Sequence, residues 1–154
     1  HPVAAIALRR RKDDMAPDDS APSSITWQAM TGTAAAGTAS RLLRSAAVRT
    51  RETLEFLSSR WKTKIETEFD ERLYHAPVDT LISTAKNCSD EHDTQMIIAH
   101  NPGMAMLQEF FKISETAHMP TASVIMTRFK CQNWNKISLK NLVEAEIFKP
   151  RHLP

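Results

Sequence analysis

The sequence predicts an α/β protein, a three-layer α/β/α sandwich in which helices cover both faces of a parallel or mostly parallel sheet. Apolar runs typical of buried strands alternate along the chain with amphipathic segments of ten or more residues. The chain has 154 residues, the size of one ordinary domain, and its 42% hydrophobic and 25% charged residues are typical of a soluble globular protein. We therefore expect a single domain over residues 1–154.

The predicted elements follow a regular order after the first third of the chain. Residues 3–8 predict a short buried strand. Val48, Leu54, Leu57 and Trp61 are spaced as on one helix face and predict a helix over residues 46–62 that Ser45 caps. The later elements are a strand or extended loop at 67–74, a helix at 76–88, a strand at 94–100, a helix at 102–114, a strand at 123–130, and one or two strands within 136–150.

Residues 13–44 interrupt this order. The stretch is rich in Ala, Ser, Thr, Pro and Asp and contains few large apolar side chains. Little apolar area is therefore available to offset the entropy lost on ordering it, so we expect an irregular or disordered segment. It is either a mobile insertion or a segment foreign to the fold.

Charge and composition exclude several classes of partner. A net charge of +2 is too small to indicate nucleic-acid binding, whereas a pI near 8.7 suits anionic small substrates. No apolar run reaches the roughly 18 residues of a membrane span. Cys88 and Cys131 are far apart and match no metal-ligand spacing. We interpret them as reduced thiols of a cytoplasmic protein, with a single disulfide as the alternative.

The stretch MIIAHNPGM, residues 96–104, predicts a corner between a buried strand and a helix. His100 ends the strand, Asn101 is placed to cap the helix, and Pro102 is placed to start it. The free amides of a first helical turn attract anions, and an imidazole beside them can donate a hydrogen bond to a phosphate oxygen. Alternatively, His100 only stabilises the corner.

A second cation is placed to complete such a site. Arg49 falls in the first turn of the predicted helix, from which a guanidinium can bind phosphate in a bidentate manner. The alternative is a solvated arginine with glutamate neighbours. His75 and His92 are interpreted as surface or loop histidines, while Asp70 or Glu71 can serve as a proton donor.

Four ordered blocks resemble the histidine phosphatase (phosphoglycerate mutase-like) superfamily, most closely its small SixA-type phosphohistidine phosphatases. SAAVRTRETLEFL resembles S-P-A-x-R-T-x-x-T-L, ERLYHA resembles E-x-L-Y-x-A, and IIAHNPGM resembles V-G-H-N-P-G. MPTASVIMTRF with a following tryptophan and FKPRHLP resembles the P-T strand and the closing P-R-x-L of the family. The resemblance covers residues 43–154.

The resemblance implies a phosphatase that acts through a transiently phosphorylated histidine. The family's second arginine and second histidine match Arg49 and His100, with Asn101 and Thr121 as neighbours in the phosphate pocket. Two cations and helix-end amides then stabilise the phosphoryl oxygens without a metal or another cofactor. The implied partner is a phosphorylated small molecule or a phosphohistidine protein.

The family's R-H-G or R-H-A motif, which supplies the nucleophile, is altered in this chain. AIALRRRK resembles LLLLRHAKS with Arg10 in place of the nucleophilic histidine and Arg9 in place of its partner, so both are assigned to phosphate binding. A guanidinium cannot be the nucleophile. His1, 48 positions before Arg49, is the alternative nucleophile. Two hypotheses follow: a phosphohistidine or phosphomonoester phosphatase, or an inactive phosphate-binding member of the family.

Overall fold

The computed structural model describes residues 3–11, 39–59, 66–114 and 118–149. These ranges contain six strands: β1 (Val3–Arg11), β2 (Ala39–Arg44), β3 (Glu66–Phe69), β4 (His92–His100), β5 (Val124–Lys130) and β6 (Leu142–Phe148). They also contain three α-helices: α1 (Val48–Ser58), α2 (Val78–Lys86) and α3 (Gly103–Phe110). Short 3-10 turns lie at Glu71–Leu73 and Trp134–Lys136.

The six strands form one mixed sheet in the order β3-β2-β4-β1-β5-β6. β2 is parallel to β3 and β4, and β1 is parallel to β5. However, β1 runs antiparallel to β4, and β6 runs antiparallel to β5. The prediction of a mostly parallel sheet is therefore not confirmed. The β5–β6 connection is short enough for antiparallel neighbours, and the continuous apolar run of β1 suits either strand direction.

Apolar side chains pack on both faces of this sheet, because successive residues of a strand point to opposite sides. In β4, Ile97 belongs to the larger core cluster and Ile98 to the smaller one. Residues of α2 and α3 complete the larger cluster: Leu81, Ala85, Met104, Ala105 and Leu107. Leu54 of α1 packs against the smaller cluster. Helix residues thus contribute to apolar clusters on both faces of the sheet, and the strand ends remain as the place for polar chemistry.

Most predicted elements are confirmed; β1 and β4 are longer than predicted, whereas β5 and the three helices are shorter. The strands predicted at 3–8, 94–100 and 123–130 correspond to β1, β4 and β5, and the three predicted helices are present. The predicted irregular segment 13–44 contains β2 at its end, because Leu42 and Leu43 each reach one of the two apolar clusters. The rest of that segment, up to residue 38, and Trp61 lie outside the described residues.

Two further features concern the sequence-based expectations about membrane spans and cysteines. None of the described helices is both long enough and apolar enough to cross a membrane. Cys88 and Cys131 are both buried, and neither forms a disulfide in the described part of the chain.

Candidate active site

One edge of the sheet gathers several strand ends around His100. β4 ends at His100, which pairs in register with Val3 at the start of β1. β2 ends two residues short of that level, since Arg44 pairs with Ile98, and the Ser45 amide extends the ladder by donating to the Ile98 carbonyl at 3.1 Å. We call this edge, with His100 at its centre, the His100 edge.

His100 is a buried imidazole with one ring nitrogen bonded and one unfilled. Its exposed fraction is 3%, and its Nε2 lies 2.7 Å from the Ser45 hydroxyl oxygen. Its Nδ1 is buried and has no hydrogen-bond partner among the described residues. Burial, and secondarily the charge of His75, hold the pKa of His100 below its ordinary value. The neutral form of His100 is therefore favoured near pH 7, and its buried Nδ1 is left without a hydrogen bond from the described residues.

Ser45 and Thr50 fix the ring from the other side. The Thr50 hydroxyl lies 3.4 Å from the Ser45 hydroxyl and 2.8 Å from the Ser45 carbonyl, which accepts its proton. The Ser45 oxygen also accepts from the Ala47 amide at 3.4 Å. The predicted capping residue thus bonds an amide just before α1 and also orients His100. The sequence offered no signal for this second role, because the stretch before Ser45 was predicted to be irregular and β2 was not anticipated.

A turn carrying two aromatic rings covers His100 on its outer side. The Tyr74 ring meets the His100 ring edge-on at a centroid distance of 5.4 Å. The His75 ring stacks on it at 6.1 Å and 21°. The interpretation of His75 as an exposed loop histidine is correct for its exposure, but it missed this contact.

The turn is seated directly against the start of α3. A Cβ atom placed on Gly103 would collide with the Ala76 carbonyl oxygen. Glycine at this position therefore permits the close approach that brings Tyr74 and His75 onto His100.

Asn101 and Thr121 reach the same edge. Asn101 does not cap α3, because its side-chain amide donates to the Met119 carbonyl at 2.9 Å and Pro102 occupies the cap position. Its Oδ1 is buried without a hydrogen-bond partner among the described residues. Thr121 is exposed in the turn that leads into β5, whose first residue, Val124, lies level with Ile98 across the sheet.

Arg49 is exposed in the first turn of α1, beside the Thr50 that contacts Ser45. Its guanidinium makes no hydrogen bond or ion pair with any residue that the structure describes. A neighbouring cleft of about 200 Å³ is lined by Arg44, Ala46, Val48, Arg51 and Phe69. The Arg44 guanidinium lies 5.7 Å from the Phe69 ring centroid. This side of the His100 edge is therefore open and cationic.

Arg10 lies at the opposite end of the sheet, so the structure does not bring it to His100. Its side chain is fully buried, and its guanidinium donates to the carbonyls of Gln132 and Asp90, the latter at 2.7 Å. It also bonds the Asp93 carboxylate at 3.0 Å and lies 5.6 Å from the Trp134 ring centroid. These partners occupy Arg10 as a structural cation.

The cause of this placement is the direction of β1. Because β1 runs antiparallel to β4, its start meets His100 and its arginines lie near the start of β4. Only the backbone of Arg9 is described, and it pairs with Thr94 and Arg128, also away from His100. His1 lies outside the described residues.

Asp70 and Glu71, the two acidic candidates for the proton donor, differ in their contacts. Asp70 caps the 3-10 turn and accepts from the Arg72 guanidinium at 2.7 Å, which holds the pKa of Asp70 below its ordinary value. Glu71 is exposed beside it. His92 lies at the far end of β4, with its Nε2 3.6 Å from Glu66. In the described part of the chain, no three His, Cys, Asp or Glu side chains are grouped so as to hold a metal ion.

Comparison with known proteins bears on the fold. A solved structure described as "Putative Phosphohistidine Phosphatase SixA from Nakamurella multipartitia" is similar to this chain, with a TM-score of 0.59 and 14% sequence identity. The similarity covers 99% of this chain and 98% of the other. No family model and no curated protein matches the chain. Since one fold hosts many functions, this likeness establishes an α/β fold similar to that of the SixA structure and leaves the function to the chemistry of the site.

Proposed function

We propose that the chain is a phosphatase that hydrolyses phosphohistidine, or another phosphomonoester, through a covalent phosphohistidine intermediate. The observation that carries the proposal is His100, a neutral imidazole buried at the gathered strand ends, held by Ser45 and left with an unfilled nitrogen. The SixA-like fold supports it more weakly. We also propose the finer architecture of a three-layer sandwich in a cytoplasmic protein.

Each site residue has a role in this chemistry. Arg49 supplies a permanent positive charge to the phosphoryl oxygens, and the first amides of α3 point toward the same edge. Asn101 and Thr121 lie at this edge and can hydrogen-bond the oxygens that remain. Such groups are most effective when they stabilise the charge of the transferring phosphoryl group. In this proposal that stabilisation requires no metal or cofactor.

The direction of β1 supports His1 as the nucleophile over any residue at the far end of that strand. Val3 is the register partner of His100, and His1 precedes Val3 by two residues in the sequence. If His1 accepts the phosphoryl group, His100 binds it, and if His1 does not, His100 is itself the acceptor. Arg9 and Arg10 have no part in the phosphate pocket of this proposal.

A second candidate function is phosphate binding without catalysis. It is favoured by the position of Arg10, the residue that replaces the family's nucleophile and whose two Nη groups donate to Asp90, Asp93 and Gln132. In that case Arg49 and His100 retain affinity for phosphate, and no covalent intermediate forms. For either function we propose a phosphorylated small molecule or a phosphohistidine protein as the partner, not a nucleic acid or a membrane.

Labelling with radioactive phosphoramidate separates the two functions. If the chain is a phosphatase, we expect an acid-labile phosphoenzyme that is lost in at least one of the variants His1→Ala and His100→Ala. His92→Ala is the matched control, since its histidine lies at the far end of β4. Absence of label, or label that survives both substitutions, contradicts the phosphatase. Phosphate binding by calorimetry without any label establishes the second function.

A further inference from the structure

His75 brings a second imidazole to the candidate site. Its ring stacks on the ring of His100 at 6.1 Å and meets the Tyr74 ring edge-on at 4.4 Å. His92 and His118, the other described histidines, have no ring contact with His100 within the described chain. Among the described histidines, His75 is therefore the one placed to act on a group bound at His100.

The backbone holds His75 in this place. Its φ is +51°, in the left-handed region that is uncommon for residues other than glycine but in which asparagine, aspartate and histidine are enriched. The next residue, Ala76, is in close contact with Gly103 at the start of α3. The turn therefore cannot move toward α3, and His75 stays over the edge where β4 ends.

The two imidazoles lie at different depths. His100 is 3% exposed, whereas His75 is exposed and Tyr74 beside it is 53% exposed. A substrate that approaches His100 from the exposed side of this turn would meet Tyr74 and His75 first. A leaving group that remained on that side would lie beside His75.

We propose that His75 is the proton donor to the leaving group of the phosphatase reaction, an assignment that rests on the proposed function. In the first step the nucleophilic nitrogen bonds to phosphorus while the bond from phosphorus to the leaving atom breaks. The His75 imidazolium gives its proton to that atom. In the second step water attacks phosphorus, the nitrogen–phosphorus bond breaks, and His75 takes the proton that the water loses.

Other donors fit the geometry less well. The Asp70 carboxylate bonds the Arg72 guanidinium through both oxygens, which favours the ionised form. Glu71 is exposed on the 3-10 turn and is the remaining competitor. Burial and, after it, the charge of His75 lower the pKa of His100, which favours the neutral form of the deeper imidazole.

The test is the dependence of the rate on the leaving group. His75→Asn keeps a residue type that tolerates positive φ and removes the ionisable imidazole. Glu71→Gln is the matched control, because it removes the competing acid. We expect His75→Asn to lower kcat/KM for phenyl phosphate roughly 10²–10⁴-fold, the usual contribution of a general acid. For 2,4-dinitrophenyl phosphate, whose phenolate leaves without a proton, we expect little change.

Each other outcome is decisive. Equal losses of kcat/KM on both esters, or none on either, overturn the assignment of His75. A selective loss for phenyl phosphate in Glu71→Gln instead of His75→Asn assigns the proton to Glu71 and also overturns it. If the unaltered chain hydrolyses neither ester and forms no phosphoenzyme, the proposed function fails together with the role of His75.

Discussion

Replacing Arg10 tests whether this arginine stabilises the fold or binds phosphate. Arg10→Met keeps an apolar stem beneath Trp134 and removes the guanidinium that donates to the Asp90 and Gln132 carbonyls and to the Asp93 carboxylate. Hydrogen bonds from charged donors contribute about 1.5–3 kcal/mol each. The side chains of Asp90 and Asp93 are 46% and 28% exposed, so water replaces the guanidinium there, and the two carbonyls bear most of the loss.

We therefore expect Arg10→Met to lower the free energy of unfolding by about 3 kcal/mol. In a domain of this size that is a fall in Tm of roughly 6–12 °C. Urea titration and thermal melting measure both quantities, and calorimetry with inorganic phosphate measures the ligand affinity of the folded variant, which should be unchanged. Arg51→Met is the matched control, because Arg51 is exposed and its Nε lies 3.8 Å from Glu55. Reduced phosphate affinity with an unchanged Tm would refute the structural role of Arg10.

Three further substitutions or conditions test the site. Gly103→Ala should destabilise the fold by about 1–3 kcal/mol, because the new methyl group meets the Ala76 carbonyl, and it should reduce labelling by displacing the turn over His100. Ser45→Ala should cost about 1–3 kcal/mol in urea titrations, since it leaves the buried Nε2 of His100 without its partner. The free energy of unfolding should fall as the pH drops through about 6.5. Because the pKa of His100 is lowered in the folded chain, the unfolded chain binds a proton at a pH where the folded chain does not. His100→Gln should flatten this part of the pH profile.

Opposite results have clear meanings. A Gly103→Ala protein of normal Tm would show that the turn yields easily. If Ser45→Ala is as stable as the unaltered chain, the 2.7 Å contact with His100 contributes little. A pH profile that His100→Gln leaves unchanged would indicate that this imidazole titrates alike in the folded and unfolded chains.

The sequence predicted the corner at His100 because all of its signals are local. An apolar run, a histidine and the residues Asn101–Pro102 are adjacent, so the end of a strand and the start of a helix can be inferred without knowing any partner. The first turn of α1, which carries Arg49, was predictable for the same reason. The capping role given to Asn101 was not correct, because the Met119 carbonyl, 18 residues away, takes its side-chain amide.

The features that the sequence missed depend on distant contacts. A continuous apolar run indicates a buried strand without indicating its direction, so the pattern of β1 cannot reveal that this strand runs antiparallel to β4. The position of Arg10 follows from that direction and from Asp90, 80 residues later. Likewise, the contact of His75 with His100 requires the close approach of Ala76 to Gly103, which only the folded chain brings together.

The direction of β1 also determines where a tag or a surface linkage can be attached away from the proposed phosphate site. β1 begins at the His100 edge, and β6 ends there too, since Phe148 and Ala5 both pair with Val124. An affinity tag added before Val3 or after Phe148 is thus attached on the side where phosphate is proposed to bind. The exposed turn with Lys136 and Lys140 joins β5 to β6 at the other end. Immobilisation through those lysines would hold the molecule with its His100 edge facing the solution.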